Sequence, residues 1–211
     1  MNNVFIHPTA VVETEEIGEG TYIGPFTYIS SRVVVGKNCK IYNASLGLPG
    51  EHPHDPDDQN GKVIIEDNVE IREYVTINAP IFSEETRIGE HSYIMAKAHV
   101  GHDAILGKYS VLSTESIIGG HHVSGDYCYF GLNSTTHQRA KIGNYCMIGA
   151  NAFFKGTSPD GVIWAGVPAK PIKVNEVGLN RHASKLIRKS LIITASDFIK
   201  GFFVYKSGEK L

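Results

Sequence analysis

The sequence predicts an all-β fold in which short strands meet at sharp corners, three strands to a coil of about 18 residues. Aliphatic or aromatic residues recur at every sixth position over residues 88–154, interrupted only by Ser124 and Thr136. The same step runs through residues 5–41 and returns over 65–77. A period of six matches neither a helical stripe nor strand alternation. It suits repeated short strands that each send one side chain inward.

Small residues, most often glycine, follow the aliphatic position in many of the repeats. Glycine adopts conformations that other residues avoid, so we expect it to ease the corners. Successive coils would stack at about 4.8 Å, the spacing of hydrogen-bonded strands, and bury a continuous column of aliphatic side chains. We therefore expect the repeats to form one domain over residues 1–156.

Two segments break the step of six, and we expect both to protrude from the coils. Residues 42–62 are polar and rich in turn formers, and they separate Ile41 from Ile65 by a whole number of repeats. Between Ile77 and Ile88 the step is 11, which predicts a second loop over residues 78–87. Loops on a repetitive scaffold are common places for binding residues.

The remaining residues, 157–211, predict a linker and a C-terminal helical segment. Prolines punctuate the stretch that begins at Trp164, which favours an extended link. Beyond it, apolar residues at steps of four, four, three and four indicate one helical face: Ile187, Leu191, Ala195, Phe198 and Phe202. The opposite face and the positions beside it carry Lys185, Arg188 and Lys189. These residues are either solvated charges or a binding site for an acidic partner.

Composition excludes several classes of protein. The 211 residues carry a net charge of −2, which gives no support for binding to nucleic acid or to an anionic membrane. The sequence has no run of 18 apolar residues that could span a membrane, and no secretory signal is apparent. We therefore expect a cytoplasmic location. The three cysteines, Cys39, Cys128 and Cys146, form no CxxC motif, and we expect buried thiols.

The period of 18 converts sequence spacing into a column of polar residues. His102 and His121 differ by 19 and His121 and His137 by 16, while Gly120 and Gln138 stand 18 and 36 positions from His102. Residues separated by one coil lie about 5 Å apart. One corner of three successive coils is therefore expected to hold His99, His102, Gly120, His121, His137 and Gln138.

These residue types suit acyl transfer to a hydroxyl. A histidine near neutral pKa is a natural general base, and Asp103 could orient His102. A backbone N–H of the Gly119–Gly120 pair could stabilise the oxyanion of a tetrahedral intermediate. Two other interpretations stay open: imidazoles at one corner can hold zinc, and corner residues can simply face solvent.

Three motifs carry a resemblance to a known family: Ala98-His-Val-Gly-His-Asp103, Gly120-His121 and His137-Gln138. On them, and on residues 4–182 as a whole, the chain resembles the hexapeptide-repeat acyltransferases. It is most similar to the bacterial acyl-(acyl-carrier-protein)–UDP-N-acetylglucosamine O-acyltransferases of lipid A biosynthesis. The resemblance implies a left-handed parallel β-helix of triangular section.

The resemblance also implies roles for individual residues. His102 would be the general base, Asp103 would assist it, and Gly120 would supply an oxyanion N–H. His99, His121, His137 and Gln138 would position the substrate or the acyl donor. Asn175 and Arg181 would contact the nucleotide or the carrier from a neighbouring subunit of a homotrimer. Ala150 stands two repeats beyond Gln138, which we expect to place it further along the same groove, and Ala150 and Met147 would limit the acyl chain. The donor would be the phosphopantetheine thioester of acyl carrier protein, or acyl-CoA, with no bound cofactor or metal.

The chain departs from the family pattern at several positions. The family's Asp-x-Lys pair before the Ile65 strand is missing, and Lys62 is the lysine nearest to it. Asn78 and Val177 stand where the family has a histidine and an acidic residue, and the C-terminal helical part is short. These departures leave the sugar acceptor, the acyl length and the donor open. Two alternative functions remain: an acetyl-CoA-dependent sugar or nucleotide-sugar acetyltransferase, and a zinc-binding or non-catalytic trimeric protein.

Overall fold

The computed structural model describes residues 3–52 and 61–207, which form many very short strands followed by two helices. In chain order the strands are β1 (Phe5–Ile6), β2 (Val11–Val12), β3 (Tyr22–Ile23), β4 (Tyr28–Ile29), β5 (Val33–Val35), β6 (Lys40–Ile41), β7 (Ser45–Leu48), β8 (Lys62–Ile65), β9 (Glu70–Ile71), β10 (Thr76–Asn78), β11 (Glu85–Ile88), β12 (Tyr93–Ile94), β13 (His99–Val100), β14 (Ile105–Leu106), β15 (Val111–Leu112), β16 (Ile117–Ile118), β17 (Val123–Ser124), β18 (Tyr129–Phe130), β19 (Thr135–Thr136), β20 (Lys141–Ile142), β21 (Met147–Ile148), β22 (Phe153–Phe154), β23 (Thr157–Ser158), β24 (Val162–Ala165) and β25 (Lys170–Val174). The helices are α1 (Glu176–His182) and α2 (Lys185–Ser207).

The strands form three sheets, the sides of a triangular prism. Face A orders its strands β1-β3-β6-β9-β12-β15-β18-β21-β24-β25, face B orders them β2-β4-β7-β10-β13-β16-β19-β22, and face C runs from β5 through β8, β11, β14, β17 and β20 to β23. Pairing is parallel except between β24 and β25. On face B, Val100 pairs with Ile118 and Ile118 with Thr136, so the chain completes one coil between each of these positions and the next. The fold is the predicted left-handed parallel β-helix.

The sixth-position residues fill the prism. From Ile23 to Phe154 these residues are 4% exposed or less, and Ser124 and Thr136 also point inward. The first coil differs, because Ile6 pairs with Ile23 and Val12 pairs with Ile29. The predicted inward positions Phe5 and Val11 are therefore one residue out of register, and both side chains are exposed.

Over residues 91–151 glycine does not make the corners, contrary to the expectation from sequence. From residue 91 to residue 151 a residue with φ between 52° and 62° recurs at every sixth position, and none of these is glycine. The glycine after the aliphatic position has another function. A Cβ at Gly107 would overlap the backbone of Gly125 in the next coil, so glycine here permits the close approach of stacked coils.

Both predicted loops leave the prism at the corner between faces B and C, and both are shorter than expected. Strand β7 lies inside the range 42–62, because Leu46 takes the inward position five residues after Ile41. The chain leaves face B after Leu48 and rejoins face C at Lys62; residues 53–60 lie outside the described residues.

The second loop is also shorter than the sequence predicts. Strands β10 and β11 occupy both ends of the range 78–87, which leaves residues 79–84 between them. Ala79 and Ile81 in this segment are buried. Arg32 connects the two loops, because its guanidinium donates hydrogen bonds to the carbonyl oxygens of Gly61 and Pro80, each at 2.9 Å.

The coils extend beyond the predicted boundary at residue 156. Strand β24 adds to face A, and Trp164, predicted to lie in the extended link, packs edge-on against Phe154 inside the prism. The step of six fails here because Ser158 takes an inward position four residues after Phe154. Helix α2 packs Ala195, Phe198 and Phe202 against this end of the core. Within residues 3–52 and 61–207, neither helix is long and apolar enough to cross a membrane.

A histidine side chain lies inside the prism. His122 is fully buried, its ring meets that of Phe130 at 5.6 Å between centroids, and neither ring nitrogen has a hydrogen-bond partner among the described residues. Burial lowers the pKa of His122 to about 3. The equivalent residues one coil before and one coil after are Ala104 and Ala140, so alanine is compatible with this position of the coil.

This burial makes the free energy of unfolding depend on pH. An unfolded His122 binds a proton below about pH 6.5, whereas the folded one does not until about pH 3. Stability is therefore lost as the pH falls from 6.5 toward 3, by about 1.4 kcal/mol per pH unit. Relative to a His122→Ala variant, we expect urea unfolding of the wild type to lose about 2 kcal/mol more between pH 6.5 and pH 5. Parallel pH dependences would contradict the buried neutral imidazole.

Candidate active site

The predicted histidine column lies at the corner between faces B and C. His99 lies on β13, and His102 and Asp103 form the turn from β13 to β14. Gly120 and His121 occupy the equivalent turn one coil further along, and His137 and Gln138 the turn after that. The pairing of β13, β16 and β19 fixes this alignment. The structure thus brings together every residue that the period of 18 places at one corner.

His102 and Asp103 form a hydrogen-bonded pair. The distance from His102 Nδ1 to Asp103 Oδ2 is 2.6 Å. The Asp103 side chain has no exposed surface, and that of His102 is 11% exposed. A carboxylate on Nδ1 holds the imidazole with Nε2 directed away from it, which is the geometry of a general base. Asp103 takes a positive φ of 60°, which aspartate tolerates better than most residues.

A loop from the preceding coil completes the environment of Asp103, and no sequence pattern assigned it to the site. The backbone N–H groups of Ile81, Phe82 and Ser83 all point at the Asp103 carboxylate, with shortest distances of 3.2, 3.0 and 2.6 Å. The Ser83 hydroxyl lies 2.6 Å from Oδ1. The irregular step of 11 between Ile77 and Ile88 was the one signal in the sequence.

Burial and hydrogen bonding set the protonation states. Burial alone would raise the pKa of Asp103, but hydrogen bonds from Ser83 and His102 outweigh it and lower the pKa to about 2. The carboxylate therefore stays ionised, and its contribution to stability is lost only as the pH falls below about 4. Desolvation lowers the pKa of both His99 and His121, so both imidazoles are neutral at pH 7.

Gly120 lies against the imidazole of His102. A Cβ built at Gly120 would come within 2.8 Å of both Cε1 and Nε2 of His102, closer than real side chains approach. Glycine is therefore needed at this position for the ring to occupy its place. The backbone of the next coil consequently approaches the imidazole closely.

Aromatic rings surround the two central imidazoles. The rings of His102 and His121 meet edge to face at 5.1 Å between centroids. The Phe82 ring stacks on His121 at 5.6 Å and lies 6.1 Å from His102. His52, from the longer loop, approaches both Phe82 and His102. Both loops that break the repeat thus contribute rings to the histidine corner.

The remaining corner residues line the approach to His102. His99 is half-buried, and its Nδ1 lies 2.8 Å from the Thr76 hydroxyl. His137 and Gln138 are exposed, and His137 Nδ1 lies 3.0 Å from the Gln138 carbonyl oxygen. The His137 ring meets Phe153 edge-on at 6.1 Å. These side chains are available to contact a substrate that enters along this corner.

Asn175 and Arg181 lie elsewhere in the described chain. The Asn175 side chain donates to the Tyr145 carbonyl oxygen at 2.8 Å and accepts from the Gly178 N–H at 3.1 Å, as the N-cap of α1. Both polar atoms of its amide are thus used within the chain. Arg181 is exposed and lines a cavity of about 350 Å³ with Tyr127 and Met147 beside face A.

Met147 and Ala150 also lie away from the histidines. Met147 is on face A, and Ala150 follows it at the corner between faces A and B. The sequence interpretation had Ala150 two repeats further along the groove from Gln138. Only whole coils of three repeats return to the same corner, so a step of two repeats moves two corners around the prism instead. Within one chain these two residues do not meet the histidine corner.

Three residues at the corner could in principle ligate a metal ion. His102, Asp103 and His121 each offer one ligand atom, and these atoms lie within 4.8 Å of one another. Asp103 Oδ2 is 2.6 Å from His102 Nδ1, the distance of a charge-assisted hydrogen bond. The pair as it stands is therefore arranged for proton transfer.

Comparisons with known proteins agree with this architecture. Residues 16–45 match the family model described as bacterial transferase hexapeptide (six repeats). The acyl-(acyl-carrier-protein)–UDP-N-acetylglucosamine O-acyltransferase of Campylobacter lari is 35% identical over 123 residues, which are 48% of this chain and 47% of that protein. The enzyme of the same name from Saccharophagus degradans is 32% identical over 123 residues, with 48% of each chain covered. The chain thus spans about half the length of the curated relatives it matches.

Solved structures are similar over a greater length. LpxA from Acinetobacter baumannii superposes with a TM-score of 0.71 and 27% identity, covering 97% of this chain and 90% of that one. The UDP-N-acetylglucosamine acyltransferase from Campylobacter jejuni gives 0.69 and 28% identity over 89% of this chain and 81% of that one. The resemblance to the hexapeptide-repeat acyltransferases that the sequence predicts is confirmed.

Proposed function

We propose that this protein is an O-acyltransferase that moves an acyl chain from acyl carrier protein to a hydroxyl of a UDP-amino sugar. The observation that carries the proposal is the His102–Asp103 pair at 2.6 Å, packed against the backbone of Gly120. The substrate class is that of the similar acyltransferases named above. A cytoplasmic location is part of the same proposal.

The chemistry uses His102 as the general base. Its Nε2 takes the proton of the sugar hydroxyl while the hydroxyl oxygen attacks the thioester carbonyl carbon. The resulting oxyanion accepts a hydrogen bond from the Gly120 N–H. When the intermediate collapses, the C–S bond breaks, the acyl ester forms, and the imidazolium returns its proton to the departing thiolate. Asp103 stays ionised and stabilises the imidazolium throughout.

We assign the neutral imidazoles around His102 to positioning. His99 and His121 flank His102 along the corner and can accept or donate one hydrogen bond each. His137 and Gln138 extend this polar row by one further coil. Phe82 adds an apolar wall, so a sugar that occupies the corner meets polar groups on one side and an aromatic ring on the other.

We also propose that a second copy of the chain completes the site, within a homotrimer. Arg181 and Met147 line one cavity beside face A, whereas His102 lies at the opposite corner of the prism. A single chain therefore cannot apply both sets of residues to one substrate. Closed cyclic oligomers bring different faces of identical subunits together. Ala150, at a third position, would limit the acyl chain only from such a neighbour.

An acyl-donor competition tests the proposed function. The purified protein is incubated with UDP-N-acetylglucosamine and either acyl carrier protein loaded with chains of different lengths or acetyl-CoA, and the products are identified by mass spectrometry. We expect O-acylation from the carrier protein, by a protein that sediments as a trimer. Acetylation from acetyl-CoA alone would support the acetyltransferase alternative, and stoichiometric zinc with no transfer would support the metal-binding one; either result overturns the proposal.

A further inference from the structure

Asp103 is held from the side opposite His102 by residues 79–84, the connection from β10 to β11. This connection belongs to the same corner as His102, one coil earlier, and it is longer than the turns that follow it at this corner. Its extra residues fold back over the next coil. Ile81, in its middle, is 8% exposed. The fold-back has a specific target, because the N–H groups of residues 81–83 converge on one carboxylate.

The contacts divide between the two carboxylate oxygens. Oδ1 receives the Ser83 N–H and the Ser83 hydroxyl at 2.6 Å each, and the Phe82 N–H at 3.0 Å. Oδ2 is nearest to His102 Nδ1, also at 2.6 Å, and the N–H groups of Ile81 and Phe82 lie 3.3 Å from it. The carboxylate is consequently fixed in rotation, with the shortest contacts of Oδ1 made by Ser83 and the shortest contact of Oδ2 made by the imidazole.

From this arrangement we propose that Ser83 is a positioning residue for His102, acting through Asp103. The inference rests on the acyl transfer proposed above, for which His102 is the base. An aspartate beside a catalytic histidine works by orientation, and a carboxylate that can rotate orients poorly. Ser83 prevents this rotation by anchoring Oδ1. The contact is made by a side chain that the repeat itself does not supply.

The hydroxyl of Ser83 has a choice of two acceptors. Besides Asp103 Oδ1 at 2.6 Å, the Glu85 carbonyl oxygen lies at 2.9 Å. One hydroxyl carries one hydrogen, and the ionised carboxylate is both closer and the stronger acceptor. The hydrogen therefore belongs to Asp103. Removing the Ser83 hydroxyl leaves Oδ1 with backbone N–H donors only. These donors belong to residues 79–84, a loop that the Ser83 hydroxyl itself helps to hold against Asp103.

Three variants separate positioning from a merely structural role. Ser83→Ala removes the hydroxyl and keeps the backbone N–H, Ser83→Thr restores a hydroxyl, and Glu84→Gln is the matched control at an exposed position of the same loop. In full-length protein we expect Ser83→Ala to lower kcat about 10-fold with KM changed less than 2-fold, Ser83→Thr to recover most of kcat, and Glu84→Gln to match the wild type. Unchanged kcat in Ser83→Ala, or an equal loss in Ser83→Thr, overturns the proposal.

A spectroscopic measurement keeps this test independent of the proposed activity. A proton shared between His102 and Asp103 at 2.6 Å gives a far-downfield proton resonance, which His102→Ala assigns by removing it. We expect the resonance to move or broaden in Ser83→Ala and to return in Ser83→Thr. If the wild type transfers no acyl group yet the resonance responds in this way, the acyltransferase function fails while the positioning by Ser83 stands. A resonance identical in wild type and Ser83→Ala refutes the positioning.

Discussion

Replacing His102 by alanine is expected to lower turnover by about 100-fold or more while the protein remains folded. General bases typically contribute at least this factor, because without one the hydroxyl must lose its proton to water in the transition state. The imidazole is 11% exposed and its ring nitrogen bonds a carboxylate that three loop N–H groups also hold, so its removal need not collapse the corner. Steady-state turnover and circular dichroism measure the two effects.

His7→Ala is the matched control, because the hydrogen bonds of the His7 imidazole to described residues are made with its neighbour Thr9, in a turn of the first coil. We expect wild-type turnover from this control. A folded His102→Ala variant that retains turnover close to that of His7→Ala would show that another group takes the proton. His121 would then be the next candidate, because its Nε2 lies 3.8 Å from the same carboxylate oxygen.

The substitution Gly120→Ala is expected to lower turnover by about 10- to 100-fold with little change in melting temperature. The new methyl group would lie 2.8 Å from two atoms of the His102 ring, so the ring must turn away. A flexible side chain can give way without unfolding the coil, but the turned ring loses its alignment to Asp103. Displacing a catalytic group by about 1 Å can cost as much as 100-fold in rate.

Gly201→Ala provides the control for this glycine substitution. A Cβ at Gly201, within α2, meets no atom inside 4 Å, and alanine favours a helix over glycine. Its turnover should equal that of the wild type and its melting temperature should be equal or slightly higher. If Gly120→Ala also matches the wild type in turnover, the close approach of the next coil to His102 has no role in the reaction.

The period of six predicted most of the fold because it is enforced by the interior. A coil without an aliphatic inward residue buries less apolar surface against the coils on either side. The pattern is therefore visible in the sequence wherever coils stack. The pattern failed at the two ends of the prism. Ile6 and not Phe5 is in register with the buried Ile23, and the shortened step from Phe154 to Ser158 hid the continuation through Trp164.

The candidate site was predictable in the part that the period governs. Differences near 18 placed His102, Gly120 and Gln138 at one corner, and the strand register confirms that alignment. The step of 12 residues from Gln138 to Ala150 is not a whole coil, so Ala150 lies at another corner. Ser83 and Phe82 could not be found in this way, because their loop has no period and its path depends on a carboxylate contributed by the next coil.

The regular corner geometry lets the residues at the corners change without a change in the core. At the corner between faces B and C, the residue with positive φ is Asp103 in one coil, His121 in the next and Arg139 in the one after. Each coil thus directs one side chain away from the prism interior at this corner. Loss or duplication of one whole coil would leave the interior column intact and yet change the order of side chains along the corner. In such a protein, survival of the fold says nothing about survival of the activity.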